Sequence, residues 1–322
     1  MQARQGAAIK KGEGLKICRN FDPHPARFAR RPLPEGEVLR FKGDVMHRLL
    51  ILVLTLATPA FSQVDFSGEW YTTPYEDPMD RRGGPELGDY TGLPINEANR
   101  FRGDTHDPSS FAIPDWQCRP HGVDWITFGL SDMRMDKVID PVTGRLIAYK
   151  MHWLRTGFDR YVWLDGRPHP SAYAPHTWEG FSTGRWEGDS LVITVTHALE
   201  DYYRRNGIMR TSDATMTQIL FMDGDWLTWT TIAYDPGYLT EPLIRNASYR
   251  RVPHQQIPAY PCPTVVEEVR PKGTVPHYPP GTNPYLSEFA TKRGLPLEAV
   301  RGGAETTYPE YQKKLRELTK AK

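Results

Sequence analysis

The sequence predicts a mainly β fold, namely an antiparallel up-and-down β-barrel with long loops and a C-terminal helical tail. The first observation behind this prediction is a series of about nine short strand patterns between residues 64 and 251, most of them joined by short turns. The second is that no helices alternate with these strands, which disfavours a parallel sheet. Closure into a barrel is then favoured because it removes the exposed strand edges of an open sheet.

The first strand is predicted at residues 64–71, and a Gly-, Pro- and Asp-rich stretch then reaches residue 120 with one short helix near residues 96–102. The later strands are predicted at residues 123–130, 133–139, 145–154, 158–164, 181–187, 190–197, 214–222, 226–234 and 243–251. After residue 260 the chain becomes proline-rich. Helical spacing then predicts two short helices, at residues 285–294 and 308–318.

The run Gly184–Asp189 reads as strand, tight turn and strand. Trp186 is expected to point inward, and Arg185 and Glu187 outward, because side chains alternate between the two faces of a strand. Gly188 and the aspartate after it supply the residue types of a two-residue hairpin turn. This run is therefore predicted to build the barrel.

The chain divides into four predicted segments. Residues 1–45 are a polar leader, read as a start assigned too early or as a disordered basic extension. Residues 46–62 are a signal peptide, residues 63–260 the β-barrel domain, and residues 261–322 the proline-rich tail with short helices.

The signal peptide is predicted from a short positive region after Met46, an apolar run at Leu49–Ala57 and the small-x-small cleavage site Ala60-Phe61-Ser62. The apolar run is shorter than the roughly 20 residues of a membrane-spanning helix. The alternative is a signal anchor that carries residues 1–45 as an extension. The favoured interpretation predicts an exported protein, periplasmic or extracellular, with no stable membrane insertion after cleavage.

Net charge argues against a nucleic-acid partner. The leader carries ten Lys and Arg against five Asp and Glu, so it supplies +5 of a chain whose net charge is +1. The remainder, from Met46 onward, is near −4. A mildly acidic mature protein has no basic field to attract nucleic acid.

Two cysteines, Cys118 and Cys262, remain after the predicted cleavage, while Cys18 lies in the leader. In an oxidising compartment a lone pair is expected to form a disulfide, and the alternative is two separate buried thiols. Neither cysteine has a second one at Cys-x-x-Cys spacing, so no metal site is predicted from them. No cofactor motif occurs in the chain, and no cofactor is predicted.

The candidate catalytic residues are His176, His197 and Glu241. If the loop at residues 166–180 folds over a barrel mouth, two histidines and a carboxylate from Glu200 or Asp201 would converge there. A histidine beside a carboxylate is the minimum for acid–base chemistry near neutral pH. The alternatives are histidines hydrogen-bonded to loop carbonyls and, less favoured, a three-histidine metal site.

The candidate ligand-binding residues are the aromatic, histidine and arginine side chains expected near the barrel mouth. Arg204 is a candidate for binding a carboxylate through its guanidinium fork, although such arginines are more often solvated. The full set is Trp70, His169, Trp178, Trp186, Arg204 and Tyr238.

The opening Gly68-x-Trp70-Tyr71 resembles the Gly-x-Trp motif of lipocalins and other calycins. In that family the tryptophan closes one barrel end and packs under an arginine from the last strand. The resemblance therefore implies such a contact from Arg250 or Arg251.

A wider resemblance covers most of residues 64–251. Gly-Arg-Pro-His-Pro, Trp-x-Gly and Gly-Arg-Trp-Glu-Gly-Asp-Ser-Leu-Val, in this order from residue 166, resemble a family of exported bacterial proteins with a Gly-Arg-Trp-Glu-Gly-Asp-Thr-Leu-Val-Val core. Thr196-His197, Arg204–Gly207 and Asp235–Pro242 are also similar to one branch of it. Ser190 replaces the usual threonine. The resemblance implies a fold and an exported location, and it carries over no catalytic residue.

Three functions remain open from the sequence. The first is binding of a small, largely apolar ligand in an aromatic-lined barrel cavity. The second is a histidine–carboxylate enzyme, a hydrolase, lyase or isomerase acting on a small organic molecule. The third is an envelope interaction module that uses residues 72–120 and the tail as contact surfaces. The oligomeric state is left open.

Overall fold

The structure is a computed structural model that describes residues 64–73, 86–109, 119–128, 132–153, 158–255, 257–258 and 269–320. All of them belong to one compact unit, Ser62–Lys322. The predicted leader and signal peptide lie outside the described residues, as do Cys118 and Cys262. The signal-peptide and disulfide predictions therefore stay predictions.

Within the described residues, nine strands form a closed barrel in the order β1-β11-β10-β9-β6-β5-β4-β3-β2, and β7 and β8 form a separate two-stranded sheet. The predicted β-barrel is thus confirmed. The strands are β1 Gly68–Thr72, β2 Met133–Ile139, β3 Leu146–Trp153, β4 Asp159–Trp163, β5 Phe181–Glu187, β6 Ser190–Thr196, β7 Asp201–Arg204, β8 Ile208–Arg210, β9 Thr215–Asp223, β10 Trp226–Tyr234 and β11 Leu243–Arg251.

One strand pair of the barrel departs from the predicted antiparallel pattern. β4 and β5 are parallel, with Val162 opposite Ser182 and Trp163 opposite Thr183. Parallel neighbours need a connection that returns the chain to the end where the first strand began. Residues 164–180 make this return, so they run beside the barrel.

The segment predicted as a strand at Val123–Leu130 is instead a 3-10 helix, Val123–Phe128. Side chains three residues apart eclipse in a 3-10 helix, and Val123 and Ile126 accordingly both pack into the main core. The Tyr249 hydroxyl donates to the Ile126 carbonyl at 2.6 Å, which fixes the helix to β11. A short apolar segment thus serves as a cap on the barrel, and we call this end the capped end.

The opposite end carries the β5–β6 and β9–β10 turns, and we call it the hairpin end. Trp70 is fully buried there, and the Arg251 guanidinium lies 4.5 Å from the centre of its ring. The ring of Trp186 stacks on Phe66 at 5.6 Å between ring centres. These aromatic side chains close the hairpin end, and Trp186 points inward as predicted.

The predicted short helix near residues 96–102 is α1, Glu97–Asp104. The Asn96 side chain caps it by accepting from the Asn99 backbone N–H at 3.0 Å. The side chain of Asn99 in turn bonds to the backbone N–H and the carbonyl of Met209 at 2.8 Å each, which ties α1 to β8.

The C-terminal tail contains the two predicted helices, α2 Glu288–Arg293 and α3 Pro309–Lys320. A two-pronged ion pair, 2.6 and 2.5 Å, joins Arg301 to Asp104 at the end of α1. Backbone hydrogen bonds from Tyr90 to Val300 and from Gly303 to Leu93 extend this contact. None of the helices described in this structure is both long and apolar enough to cross a membrane.

Candidate functional site

The interior of the barrel contains a fully buried arginine. Arg160 shares the inward face of β4 with Val162 and lies opposite Met151 of β3. Its side chain has no exposed surface, and its Nε donates to the Ser182 hydroxyl at 3.0 Å. Burial lowers the pKa of Arg160 to about 9, so the guanidinium stays positively charged at neutral pH.

The two terminal nitrogens of Arg160 have no hydrogen-bond partner among the described residues. A guanidinium carries five N–H donors, and only one of them is satisfied here. Burying an unpaired cation costs several kcal/mol, which is why buried arginines are nearly always paired with carboxylates. The barrel therefore holds a positive charge whose natural counterpart is an anion.

The neighbours of Arg160 add polar atoms to an apolar setting. Its guanidinium carbon lies 5.9 Å from the ring centre of Trp229, and Trp153 packs edge-on against Trp229 at 5.8 Å. The indole N–H of Trp229 and the amide oxygen of Gln218 are both buried without a partner in the described part of the chain. Unsatisfied donors thus outnumber unsatisfied acceptors in this group.

A buried charge network supports the cap. Arg210 is fully buried, and its Nε donates to Asp124 at 3.2 Å while its Nη2 donates to the Leu199 carbonyl at 2.8 Å. Asp201 accepts from the Gly122 backbone N–H at 2.6 Å. A Cβ at Gly122 would lie 2.5 Å from the Asp201 carboxylate, so this position requires glycine.

The two carboxylates of this network, Asp124 and Asp201, share one cation, Arg210. Burial and the negative charge of Asp124 raise the pKa of Asp201 to about 7, against the opposing charge of Arg210. A buried carboxyl whose pKa is raised in this way is able to hold and release a proton near neutral pH. Asp201, on β7 beside the cap, therefore changes charge in the physiological range.

A small cavity of about 10 Å³ lies beneath the cap and is lined by Asp124, Thr127, Tyr203, Thr231, Ala233, Leu243 and Arg245. This is about the volume that one water molecule needs. Thr231 also accepts from Gln218 at 3.1 Å. Thr231 therefore lies both in the wall of this cavity and against Gln218 inside the barrel.

The three histidines predicted to matter do converge, but on the outer wall of the barrel. The ring centres of His176 and His197 are 5.2 Å apart. His169 bonds to the hydroxyls of Thr183 and Thr196 at 2.8 Å each. These threonines lie on the outer face of β5 and β6. The prediction that this loop folds over a barrel mouth is therefore wrong, and residues 164–180 lie against the outer wall.

Hydrogen bonds join the rings into a chain whose direction is determined. The Ser171 carbonyl can only accept, so His197 donates to it through Nε2, at 2.9 Å. In a neutral ring the Nδ1 of His197 then accepts from the Thr196 hydroxyl at 2.7 Å, and Thr196 accepts from His169. The Thr183 hydroxyl completes the chain by donating to the remaining nitrogen of His169.

His197 adopts a left-handed backbone conformation, with φ at 57°. Non-glycine residues rarely adopt it, although histidine does so more often than most. The bonds to Thr196 and Ser171 hold the residue there. Burial and the electrostatic effect of the neighbouring His197 lower the pKa of His169. The described residues contain no group of three or more His, Cys, Asp or Glu side chains arranged for a metal ion.

The other predicted site residues are dispersed. Trp70 and Trp186 close the hairpin end, and Trp178 is half-buried in the 164–180 connection. Arg204 lies on β7, 3.9 Å from Asp89. The predicted ligand-binding set therefore does not line one cavity.

Two further candidates lie in the β10–β11 loop. Glu241 accepts from the hydroxyls of Tyr308 and Thr307, at 2.6 and 3.2 Å, and thus anchors the tail rather than joining the histidines. Tyr238 accepts from the Asn96 backbone N–H at 3.0 Å through its carbonyl, which fixes the start of α1. Both residues hold the fold together at this loop.

Sequence reasoning missed Arg160 and the network of Asp124, Asp201 and Arg210. A signal for Arg160 exists, because it stands two residues before Val162 in an alternating strand and so shares its inward face. The network left no such signal, since its members come from the cap, β7 and β8. Comparison of the chain with protein-family models, with curated proteins and with solved structures finds no match to any of them.

Proposed function

We propose that this protein is an exported binding protein that holds a small organic anion, apolar in its body, inside the barrel with its acidic group on Arg160. The observation that carries the proposal is the fully buried guanidinium whose terminal nitrogens have no partner among the described residues. A carboxylate offers two acceptor oxygens in the geometry of the guanidinium fork. The indole N–H of Trp229 would give a third donor to the same group.

An uncharged apolar ligand would gain less binding free energy in this barrel than an apolar anion. The inward side chains around Arg160, among them Met151, Val162 and Trp229, are fully buried and already packed against one another. A ligand must displace part of this packing, which costs free energy. Only a ligand that pairs with the buried cation recovers this free energy. The ligand expected from the sequence is therefore narrowed from an apolar molecule to an apolar carboxylate.

The capped end is the proposed entry. The helix Val123–Phe128 covers this end, and the small cavity beneath it is lined by Thr231, which accepts a hydrogen bond from Gln218 inside the barrel. The hairpin end is closed by Trp70, Phe66 and Trp186, which are held by stacking and by Arg251. A ligand that enters at the capped end has to displace one short helix, whereas a ligand that enters at the hairpin end has to displace this whole aromatic layer.

The proposal is tested by titrating the purified protein with hexanoate and, in parallel, with 1-hexanol, following tryptophan fluorescence and heat. The two probes share an apolar body and differ in the carboxylate. We expect saturable binding of one hexanoate per chain and at least tenfold weaker binding of 1-hexanol. Trp229→Phe keeps an aromatic ring and removes the indole N–H, so it is expected to weaken hexanoate binding severalfold.

Arg160→Met serves as the decisive variant because methionine keeps the length and apolar character of the buried stem. It should abolish the preference for hexanoate over 1-hexanol. Arg185→Met, which removes an exposed arginine on the outer face of β5, is the matched control and should leave both titrations unchanged. Equal binding of the two probes by the wild-type protein, or hexanoate binding that survives Arg160→Met, contradicts the proposal.

A second candidate function is acid–base chemistry at the histidines. The observation that favours it is the ordered chain from Thr183 through His169 and Thr196 to His197, with His176 beside His197. A proton delivered from solvent to the Thr183 oxygen could be relayed through His169 and Thr196 to Nδ1 of His197, which leaves Thr183 neutral and His197 protonated. The partners of these rings in the described residues are hydroxyls and a carbonyl rather than the expected carboxylate.

This candidate is tested with a panel of small carboxylic esters and hydroxy acids and the variant His197→Asn. Asparagine tolerates the left-handed conformation and removes the imidazole. Turnover that His197→Asn abolishes, and that His254→Asn leaves intact, supports the enzyme; His254 is an exposed histidine in the same backbone conformation. Equal turnover by both variants, or none by the wild type, opposes it.

A further inference from the structure

A second cavity lies outside the barrel, between α1, the β7–β8 sheet and the tail. It has a volume of about 170 Å³ and is lined by Arg102, Thr105, His106, Tyr202, Gly207, Met209, Pro276 and His277. The Tyr278 backbone N–H donates to the Thr105 carbonyl at 2.8 Å, and the Asn283 amide donates to the Asp104 carbonyl at 3.0 Å. These two hydrogen bonds hold the tail against the end of α1.

Two histidines, His106 and His277, lie side by side in the lining of this cavity. His106 and His277 form an isolated antiparallel β-bridge, and residues directly opposite in such a pair have Cβ atoms about 5 Å apart on the same face. His106 is nine-tenths buried, and its Nε2 has no partner among the described residues. The other side of the ring bonds to the Arg205 backbone, which leaves Nε2 as the ring nitrogen available to a metal ion.

A thioether completes the set. Met209 of β8 lines the same cavity and packs against Trp125 and Tyr202. Its backbone is fixed on both sides by Asn99, at 2.8 Å. Imidazole nitrogens suit zinc, nickel and copper, whereas a thioether sulfur is a soft ligand that selects copper, above all Cu(I).

We infer that His106, His277 and Met209 form a copper-binding site on the outside of the barrel. The site is separate from Arg160 and does not depend on the binding function proposed above. Two of its ligands are set by the β-bridge, and the third comes from the strand that α1 holds in place. Water or a small anion would fill any further coordination position.

The surrounding charges suit a cation. The C-terminal end of α1, at Asp104, borders the cavity, and the carbonyl end of a helix attracts positive charge. Arg102, the nearest cation in the lining, is paired with Glu200 at 2.7 Å, which offsets its charge. Gly207, with φ at 93°, packs against the His106 ring, where a Cβ would lie 2.4 Å from that of His106.

The test measures Cu(I) binding to the full chain by competition with bicinchoninate under anaerobic conditions, after the cysteine thiols are blocked with iodoacetamide. We expect one Cu(I) per chain. Met209→Leu keeps the side-chain volume and removes the sulfur, and His277→Ala changes an exposed residue, so both variants should fold. Each is expected to weaken Cu(I) binding at least tenfold.

The matched controls are His254→Ala and Met222→Leu, a histidine and a methionine outside the cavity, and both should bind Cu(I) like the wild type. X-ray absorption of the loaded protein should give nitrogen and sulfur scatterers, with the sulfur lost in Met209→Leu. Cu(I) binding that is unchanged in both Met209→Leu and His277→Ala, or a copper shell without sulfur in the wild type, overturns the assignment.

Discussion

The guanidinium of Arg251, at the end of the last strand, lies 4.5 Å above the ring of Trp70 on the first strand. It also donates to the carbonyls of Ser67 and Asp65, at 2.7 and 3.0 Å. One side chain therefore joins β11 to the segment that enters β1, at the seam where the barrel closes. This is the contact that the Gly-x-Trp opening implied, with Arg251 rather than Arg250 making it.

Arg251→Ala is predicted to destabilise the barrel by roughly 2–3 kcal/mol, because it removes a cation–π contact and two charge-assisted hydrogen bonds. Urea denaturation followed by tryptophan fluorescence measures the change. Arg250→Ala, which removes the exposed neighbour on the outer face, should cost less than 0.5 kcal/mol, the usual limit for surface sites. Equal losses for the two variants would show that the contact with Trp70 does not hold the seam.

The stability of the fold is predicted to depend on pH through Asp201. Its pKa is raised to about 7 by burial and by Asp124, whereas an unfolded aspartate titrates near 4. Between these values the folded chain keeps a proton that the unfolded chain has released. The free energy of unfolding should therefore fall as pH rises from about 4 to about 7 and level off above it.

Asp201→Asn mimics the protonated carboxyl and keeps an oxygen for the Gly122 N–H. It should flatten this pH dependence and be more stable than the wild type at pH 8, by an amount on the order of a few kcal/mol. Urea titrations at pH 5 and pH 8 test this, with the exposed turn variant Asp189→Asn as control. If the free energy of unfolding of the wild type rose between pH 5 and pH 8, and Asp201→Asn removed this rise, the raised pKa of Asp201 would be contradicted.

Thr196→Val is predicted to break the histidine chain, since valine keeps the shape of threonine and removes the hydroxyl that bridges His169 and His197. Proton–nitrogen correlation spectra of the imidazoles report the tautomers directly. The wild type should carry its ring proton on Nδ1 of His169 and on Nε2 of His197 when both are neutral. Thr194→Val, on the same outer face of β6, should leave these signals in place, and unchanged signals in Thr196→Val would refute the chain.

The hairpins of the barrel were predictable from the sequence because their signals are local. The alternation around Trp186 and the Gly188 turn predict β5 and β6 closely, and β10 and β11 begin and end at the predicted residues. In these segments the residue pattern and the strand period agree, so no tertiary contact has to override them.

The cap and the β7–β8 sheet could not be predicted in the same way. A six-residue apolar segment such as Val123–Phe128 fits a strand or a short helix equally well, and its packing on β11 through Tyr249 decides between them. β7 and β8 are short and depend on Arg210 and Asn99, whose partners are remote in sequence. Their signal exists only in three dimensions.

The candidate site was predicted only in part for the same reason. Two histidines and a carboxylate from Glu200 or Asp201 were expected to converge at a barrel mouth. His176 and His197 do lie together, but the parallel β4–β5 pair places them on the outer wall. Glu200 pairs with Arg102 instead, and Asp201 accepts from the Gly122 N–H. The alternation of β4 could have placed Arg160 on the inward face, but it does not show that the guanidinium lacks partners. Its importance depends on the absence of a partner among the described residues, and a sequence carries no record of partners.

The most direct test of the central claim compares the thermal unfolding of the wild type and Arg160→Met, each with and without hexanoate. Without hexanoate, Arg160→Met should be at least as stable as the wild type, because it removes an unpaired buried charge. Hexanoate at 100 times its Kd should stabilise the wild type by about 2.7 kcal/mol and leave Arg160→Met unchanged. A less stable Arg160→Met without hexanoate, or an equal hexanoate shift in both proteins, would contradict the claim that Arg160 awaits an anion.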